Sequence, residues 1–310
     1  MSTAKDIARS VAYGAARLVP GPLGRAALRG LTPHLQRIEE NLLALGRLYD
    51  DGSPRLTRVT VDRLTLELHL SDHIERRIYY TGRYERGVEA ILRAALGPEA
   101  RCFADVGANC GYFTLIGARC LLGRGRVHAI EPFPETARRL RRNLELNATL
   151  ANVTVHELAA SDREGTVRLF AQPGSLGETS FLAIAGAEGA EARTVPLDAL
   201  LAGEPFIDLA KIDVEGADHL VLAGMDGLLA ARRVGAVLLE VHPELMRELG
   251  GRFEDVPETF LRHGYRLLAE QGSVLAPMDR AAFFATDTGH RFLVATVDDR
   301  LAGLRLPKGF

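Results

Sequence analysis

The chain has 310 residues, 47% of them apolar and 25% charged, which provides for a large core and argues against disorder throughout. Its 38 Lys and Arg against 40 Asp and Glu leave a formal net charge of -2, so no global field points to nucleic acid or an anionic surface as the main partner. Cys102, Cys110 and Cys120 show no C-x-x-C spacing, which argues against a disulfide framework and fits a reducing cytoplasm, and no apolar run approaches the ~18 residues that span a bilayer.

Residues 1–30 lack the compact apolar core of a signal peptide. They mix Lys5, Arg9, Arg17, Arg25 and Arg29 with Ala, Val and Leu, a composition that suits a basic helix on a membrane surface or one packed on the protein body. Pro20, Gly21, Pro22 and Gly24 interrupt the stretch and favour the second reading. Pro33–Tyr49 is expected to be helical, with Leu35, Ile38, Leu42, Leu45 and Tyr49 on one stripe that a core would bury. Val59 and Val61, then Leu64, Leu66, Leu68 and Leu70, alternate with polar residues around Asp62-Arg63 and predict a hairpin. Residues 1–83 thus form a helical and hairpin extension to a main domain over residues 84–310.

From about residue 84 short apolar strands alternate with helices, the pattern of a parallel sheet covered on both faces. The expected strands are Cys102–Val106, Val127–Ile130, Val153–His156, Ile207–Ile212 and Ala236–Leu239, with Tyr265–Ala269 and Phe292–Val297 as a closing antiparallel pair. Residues 160–200, with Gly165, Gly174, Gly177, Gly186 and Gly189, read as a loose lid or substrate loop.

Ligands of open α/β sheets bind beyond the carboxyl ends of the strands. Asp105-Val106-Gly107-Ala108-Asn109-Cys110-Gly111 ends the first strand, and its glycines let the backbone turn sharply against a ligand. Glu131 stands near the ~20-residue offset from the first glycine at which an acid meets ribose hydroxyls. No G-x-G-x-x-G turn is present, which removes the usual pyrophosphate cradle and disfavours a nicotinamide oxidoreductase. Asp105 ahead of the first glycine suits a cationic ligand better than a pyrophosphate. Asp213 and Glu240 end the fourth and fifth strands, with Glu215 and His242 just beyond. Cys110 reads as a spacer, with no base beside it in sequence to activate a thiolate.

Asp-Val-Gly-Ala-Asn-x-Gly-Tyr-Phe-Thr-Leu at 105–115, Glu131-Pro132-Phe133-Pro134 and Lys-Ile-Asp-Val-Glu-Gly at 211–216 together resemble the FkbM family of S-adenosylmethionine-dependent methyltransferases. Asn143, Asn147, Ala159-Ala160-Ser161-Asp162, Glu240-Val241-His242 and Gly264-Tyr265-Arg266 follow in the family's order, so that the resemblance covers about residues 75–270. It implies a Rossmann-like, seven-stranded class I methyltransferase sheet binding S-adenosyl-L-methionine. Asp105, Gly107, Asn109, Gly111 and Tyr112 would line the methionine half, Glu131 and Pro132 the ribose, Phe133 and Asp162 the adenine, and Asp213 the approach to the methyl group. The family commonly has Glu-Gly-Ala-Glu where this chain has Glu215-Gly216-Ala217-Asp218.

A sulfonium methyl is already activated, so the protein's task is to hold an acceptor in line and remove its proton. His242 is the first candidate for that base, with the capping of the following Pro243 helix as the alternative role. Lys211, Asp213 and Glu215 alternate along one strand and are expected on one side, where they would orient acceptor hydroxyls or, with Lys211, balance charge. Asp213, Glu240 and His242 are acceptable ligands for a divalent cation, but their spacing is no recognised metal motif and metal dependence is not favoured. Glu215, Thr179 and Ser180 are expected to touch the acceptor, a sugar, glycan precursor or polyketide-type molecule whose hydroxyl is methylated. A cofactor-binding scaffold without catalysis is the alternative. The absence of clustered aromatics or a basic stripe disfavours nucleic acid.

Overall fold

A computed structural model of the chain describes residues 56–150, 152–172, 175–180, 189–285 and 291–307. The basic stretch over residues 1–30 and the helix expected over Pro33–Tyr49 lie outside the described residues. The chain divides into two compact units between Glu85 and Arg86. Among the described residues no helix is long and apolar enough to cross a membrane.

In the first unit β1 (Leu56–Val61) and β2 (Leu64–His69) form the expected hairpin, with Val61 opposite Leu64 and Leu56 opposite His69. Asp62 and Arg63 take φ values of 47° and 62°, the two-residue turn whose twist suits right-twisted strands. Leu64, Leu66 and Leu68 are buried, as the alternation requires. Helix α1 (His73–Thr81) begins at Asp72, whose carboxylate accepts from the Ile74 and Glu75 amides, and ends at Gly82 in the left-handed region.

The second unit opens with α2 (Arg86–Ala95) and runs through β3 (Cys102–Val106), α3 (Tyr112–Cys120), β4 (Arg126–Ile130), α4 (Pro134–Glu145) and β5 (Val153–His156). After the strands β6 (Ala159–Ala160), β7 (Gly165–Gln172), β8 (Ser175–Ser180) and β9 (Gly189–Val195) come α5 (Leu197–Leu200), β10 (Leu209–Ile212), α6 (Asp218–Ala223), α7 (Asp226–Ala230) and β11 (Ala236–Val241). The unit closes with α8 (Pro243–Glu248), α9 (Asp255–Leu261), β12 (Arg266–Gln271), β13 (Val274–Pro277), α10 (Arg280–Phe284) and β14 (Arg291–Thr296).

Eight strands form the main sheet in the order β13-β12-β14-β11-β10-β3-β4-β5. The five from β11 to β5 are parallel and β14 is antiparallel to both its neighbours, so the seven expected strands are present with β13 added at the edge. Strands β3, β10 and β11 are buried along their whole length because helices cover both faces. Cys102, Ala104, Val106, Ala210, Ile212, Val237 and Leu239 share one core with Leu197, Val221, Leu228, Val256 and Phe260. On the other face Phe103 lies against Gly117 of α3, and Ala129 packs with Leu140 of α4.

Residues 160–200 depart from expectation. Where glycines suggested a loose loop, β6, β9, β7 and β8 form a second four-stranded sheet. Two glycines stand at strand ends, Gly165 opposite Thr194 and Gly189 opposite Phe170. A Cβ on Gly189 would approach Arg168 Nε to 2.5 Å and the Phe170 ring to 2.9 Å, so this glycine marks a close strand contact rather than slack.

A Cβ at Gly117 would meet Cδ1 of Phe103 at 2.3 Å. Gly117→Ala should therefore destabilise the domain by about 1–3 kcal/mol through overpacking, although alanine is the better helix former. Adding Phe103→Leu should recover part of that loss. Urea unfolding of the two single variants and the double variant measures the coupling; additive losses would show that the two positions do not compete for space.

Candidate functional site

Beyond β3 the chain turns through Gly107 (φ 81°), Asn109 (φ 52°) and Gly111 (φ 89°). The Gly107 and Ala108 amides both donate to the Ile130 carbonyl, at 2.9 and 3.0 Å, which fixes the loop against the end of β4. Asn109 Oδ1 accepts from the Cys110 amide at 2.6 Å, and Asn143 Nδ2 of α4 donates to the Cys110 carbonyl at 2.9 Å. Cys110 is buried and serves as spacer in this turn. A Cβ on Gly111 would strike Leu140, so helix α4 closes the far side of the loop.

Glu131 holds the two loops together. Its Oε2 accepts from the Asn109 amide at 2.8 Å, and its Oε1 from the Phe133 amide at 2.9 Å and Thr136 Oγ1 at 2.8 Å. Burial nevertheless pushes its carboxyl above the ordinary range, against the pull of those three donors. Beneath the loop Asp105 is fully buried, with Oδ2 accepting from Thr114 Oγ1 at 2.5 Å and Oδ1 without a hydrogen-bond partner. Burial pushes the Asp105 carboxyl up, and Lys211 beside it draws it back. Phe133 packs with Leu169, Ala171 and Ala192 of the second sheet. Tyr112 is buried, its hydroxyl 3.5 Å from Glu89. Pro132 is half-buried beside Glu131. Asp162 accepts from Ser161 Oγ at 3.2 Å and pairs with Arg163 at 3.5 Å, contacts that suit a turn. Thr179 and Ser180 lie on β8, their backbones opposite Ala171 and Phe170.

The end of β10 adjoins this loop. The Asp213 amide donates to the Val106 carbonyl at 3.0 Å, and a Cβ on Gly107 would lie 1.8 Å from the Asp213 carbonyl oxygen. Lys211 is buried, pairs with Asp213 at 3.1 Å and lies 5.1 Å over the Phe113 ring. The strand alternation expected to carry Glu215 stops at Ile212. Glu215 instead adopts φ 50° and Gly216 φ 92°, a left-handed turn packed against Leu245 and Met246 of α8. The turn still brings Glu215 to His242, whose Nε2 lies 3.8 Å from Glu215 Oε2 and 3.6 Å from Glu240 Oε1. Donor atoms of Asp213, Glu215 and His242 all lie within 4.8 Å of one another. His242 occupies the N-cap position of α8, but its side chain makes no capping hydrogen bond. The imidazole is thus turned toward the acids rather than the helix.

Two features escaped sequence reasoning. Asp218 is fully buried with neither carboxylate oxygen hydrogen-bonded. Its pKa is pushed up to about 8, by burial first and then by the charge of Asp213. On the opposite face Glu204 accepts from both Arg126 and His128, and His128 Nδ1 meets His156 Nε2 at 3.0 Å. Burial within this network pushes the Cys102 thiol up to about 12, which makes it inert.

The model of the methyltransferase FkbM domain matches residues 105–267, just over half of the chain. The AMB antimetabolite synthetase AmbE of Pseudomonas aeruginosa is 30% identical over 73% of this chain, which corresponds to 12% of that much longer protein. Among solved structures, the precorrin-6y C5,15-methyltransferase of Geobacter metallireducens is 16% identical, covering 67% of this chain and 86% of its own, with a TM-score of 0.39. TYW2 of M. jannaschii in complex with AdoMet is 18% identical, covering 79% of this chain and 86% of its own, also with a TM-score of 0.39.

Asp218 sets a pH dependence. The native state keeps its proton up to about pH 8, whereas the unfolded chain releases it near the ordinary 3.8. The stability it contributes is full below that lower value and lost as pH rises toward 8. Asp218→Asn should flatten this dependence and raise the melting temperature at pH 8–9 relative to the native chain, as measured by calorimetry with chelator present. Parallel pH profiles for the two proteins would show that Asp218 ionises normally.

Proposed function

This chain belongs to the FkbM methyltransferase family, and we propose that it transfers a methyl group from S-adenosylmethionine to a hydroxyl of a small acceptor. The observation that carries this reading is the junction at Gly107 and Asp213, where a turned, part-exposed loop meets a cluster of acids and one histidine. The loop and the cluster belong to adjacent parallel strands, the place where open α/β sheets bind ligands.

The loop suits S-adenosylmethionine on several counts. It lacks a pyrophosphate cradle. The buried Asp105 has an oxygen to spare for donors that reach beneath the loop. Glu131 has spent its lone pairs on three protein donors but keeps capacity for one hydroxyl of a ribose. Bound there, S-adenosylmethionine supplies a methyl group on a positively charged sulfur.

The residues of the chain then have two tasks. The first is to align the acceptor, which holds the reacting atoms near attack distance and can lower the barrier by about 7–11 kcal/mol. Glu215 and Asp213, both part-exposed, would accept hydrogen bonds from acceptor hydroxyls. The second is to receive the acceptor's proton, which falls to the cluster of Glu215, Glu240 and His242. Imidazole is the side chain whose ordinary titration range spans neutrality, which makes His242 the first group to test. AmbE is named as an antimetabolite synthetase, and this supports a natural product as the acceptor.

Calorimetry with S-adenosylmethionine tests the pocket. Gly107→Ala combines a left-handed residue with a clash against the Asp213 carbonyl and should weaken binding at least about tenfold, the effect of ~1.4 kcal/mol. Affinity equal to that of the native chain would place the ligand elsewhere. His242→Ala should lower kcat by about 10²-fold or more while S-adenosylmethionine binds as before. A screen of labelled-methyl transfer to sugars, glycolipid precursors and macrolides supplies the acceptor for that assay. Lost affinity with unaltered turnover would remove His242 from the chemistry.

A further inference from the structure

We propose that Asp213, Glu215 and His242 hold a divalent cation, Mg2+ or Mn2+, beside the transferring methyl group. This inference rests on the methyltransferase reading and assigns the means by which its acceptor is activated. Two carboxylates and one imidazole present donor atoms within 4.8 Å of one another. His242 Nε2 stands 3.8 Å from Glu215 Oε2 and 3.6 Å from Glu240 Oε1. Ligands around a common ion with bonds of about 2.1 Å stand roughly 3 Å apart, within reach of small side-chain rotations here.

The chemistry of the donors selects the ion. Carboxylate oxygens suit hard cations such as Mg2+ and Mn2+, and a single imidazole is compatible with Mn2+. His242 Nε2 is buried while Asp213 and Glu215 are part-exposed, so a cation held here would be open to water or an acceptor oxygen on the carboxylate side. A second observation points the same way. Asp218 follows the Glu215-Gly216 turn, is fully buried, and neither of its oxygens has a hydrogen-bond partner. The charge of Asp213 is felt at Asp218, and a carboxylate standing behind a metal's ligands commonly serves to orient them. The strand-end spacing by itself suggested Glu240 as the third ligand. The left-handed turn at Glu215 brings that carboxylate into the ligand set and leaves Glu240, buried and 3.6 Å from His242 Nε2, as its neighbour.

The cation reassigns His242 from base to ligand. The acceptor oxygen, acidified by the cation, passes its proton to the Glu240 carboxylate. Its lone pair forms the new O–CH3 bond, and the electrons of the S–CH3 bond return to sulfur, leaving a neutral thioether. Charge is conserved, with the proton on Glu240 and no redox partner required.

Binding of MnCl2 to the full-length chain is the test, followed by the loss of the free-Mn2+ paramagnetic signal and by water-proton relaxation. One ion per chain should bind, with an enhancement of relaxation that shows exchangeable water in its shell. Glu215→Gln and His242→Ala should each weaken Mn2+ binding at least tenfold while S-adenosylmethionine affinity, measured by calorimetry, stays within twofold of the native chain and the melting curve remains cooperative. Absence of Mn2+ binding, or binding that both variants preserve, overturns the cation. Methyl transfer that survives thorough chelation also overturns it and leaves the methyltransferase reading intact. Failure of S-adenosylmethionine to bind the native chain overturns that reading instead, and with it this inference.

Discussion

At Gly107 the chain leaving β3 passes so close to the end of β10 that a Cβ would sit 1.8 Å from the Asp213 carbonyl oxygen. Every other feature of the site depends on this approach. It needs a residue without a side chain, in a left-handed conformation, at the last turn of the central strand. Because β3 and β10 are hydrogen-bonded neighbours, Leu209 opposite Phe103 through Ile212 opposite Val106, the approach is a continuation of their register. The loop that would hold the cofactor and the residues that would hold the acceptor are therefore tied through backbone. Relative placement of this kind does not depend on flexible side chains, which suits a reaction governed by alignment.

Buried carboxylates provide the second level of organisation. Burying an ionised group is costly unless donors surround it. Glu131 meets that condition with two amides and a threonine hydroxyl, and in doing so ties the β3 loop to the start of α4. Asp105 meets it halfway, through Thr114 and the neighbouring Lys211. Asp218 does not meet it with any described hydrogen bond, and burial pushes its carboxyl up to about 8. Polar groups left unsatisfied in a core are expected where a ligand completes the site.

Much of this was legible in the chain. The hairpin followed from alternating leucines and valines around Asp62-Arg63, and the parallel strands from short apolar runs between helical ones. These are local signals, and burial on both sheet faces makes them strong. Three other features were not legible, for one common reason. The second sheet arises because Gly165–Phe170 finds Gly189–Thr194 across a connection, the His128 contacts arise because Glu204 and His156 arrive from distant segments, and Asp218 is orphaned only by what packs around it. Pairing across sequence distance leaves no period to read. The offset of Glu131 and the family resemblance both point to a ribose. The structure adds a role that spacing does not reveal, since an amide at Asn109 and a hydroxyl at Thr136 are identified as its partners only once the loops are folded.

Glu215 joins these levels. A non-glycine residue held in the left-handed region costs about 1–2 kcal/mol, and the following Gly216 is packed so closely that a Cβ on it would lie 2.6 Å from Leu245 Cβ. A chain that needed only a strand-to-helix connection could place glycine at this position and avoid the cost. With glutamate, the same turn swings a carboxylate out of the strand direction and toward His242. The lysine and aspartate before it stay in line with β10, one buried and one part-exposed. The turn therefore gathers charges that would otherwise run along a strand into a cluster, with donor atoms of Asp213, Glu215 and His242 within 4.8 Å of one another. Local strain retained at a residue whose carboxylate stands 3.8 Å from His242 Nε2 is more in keeping with a functional site than with a structural cap.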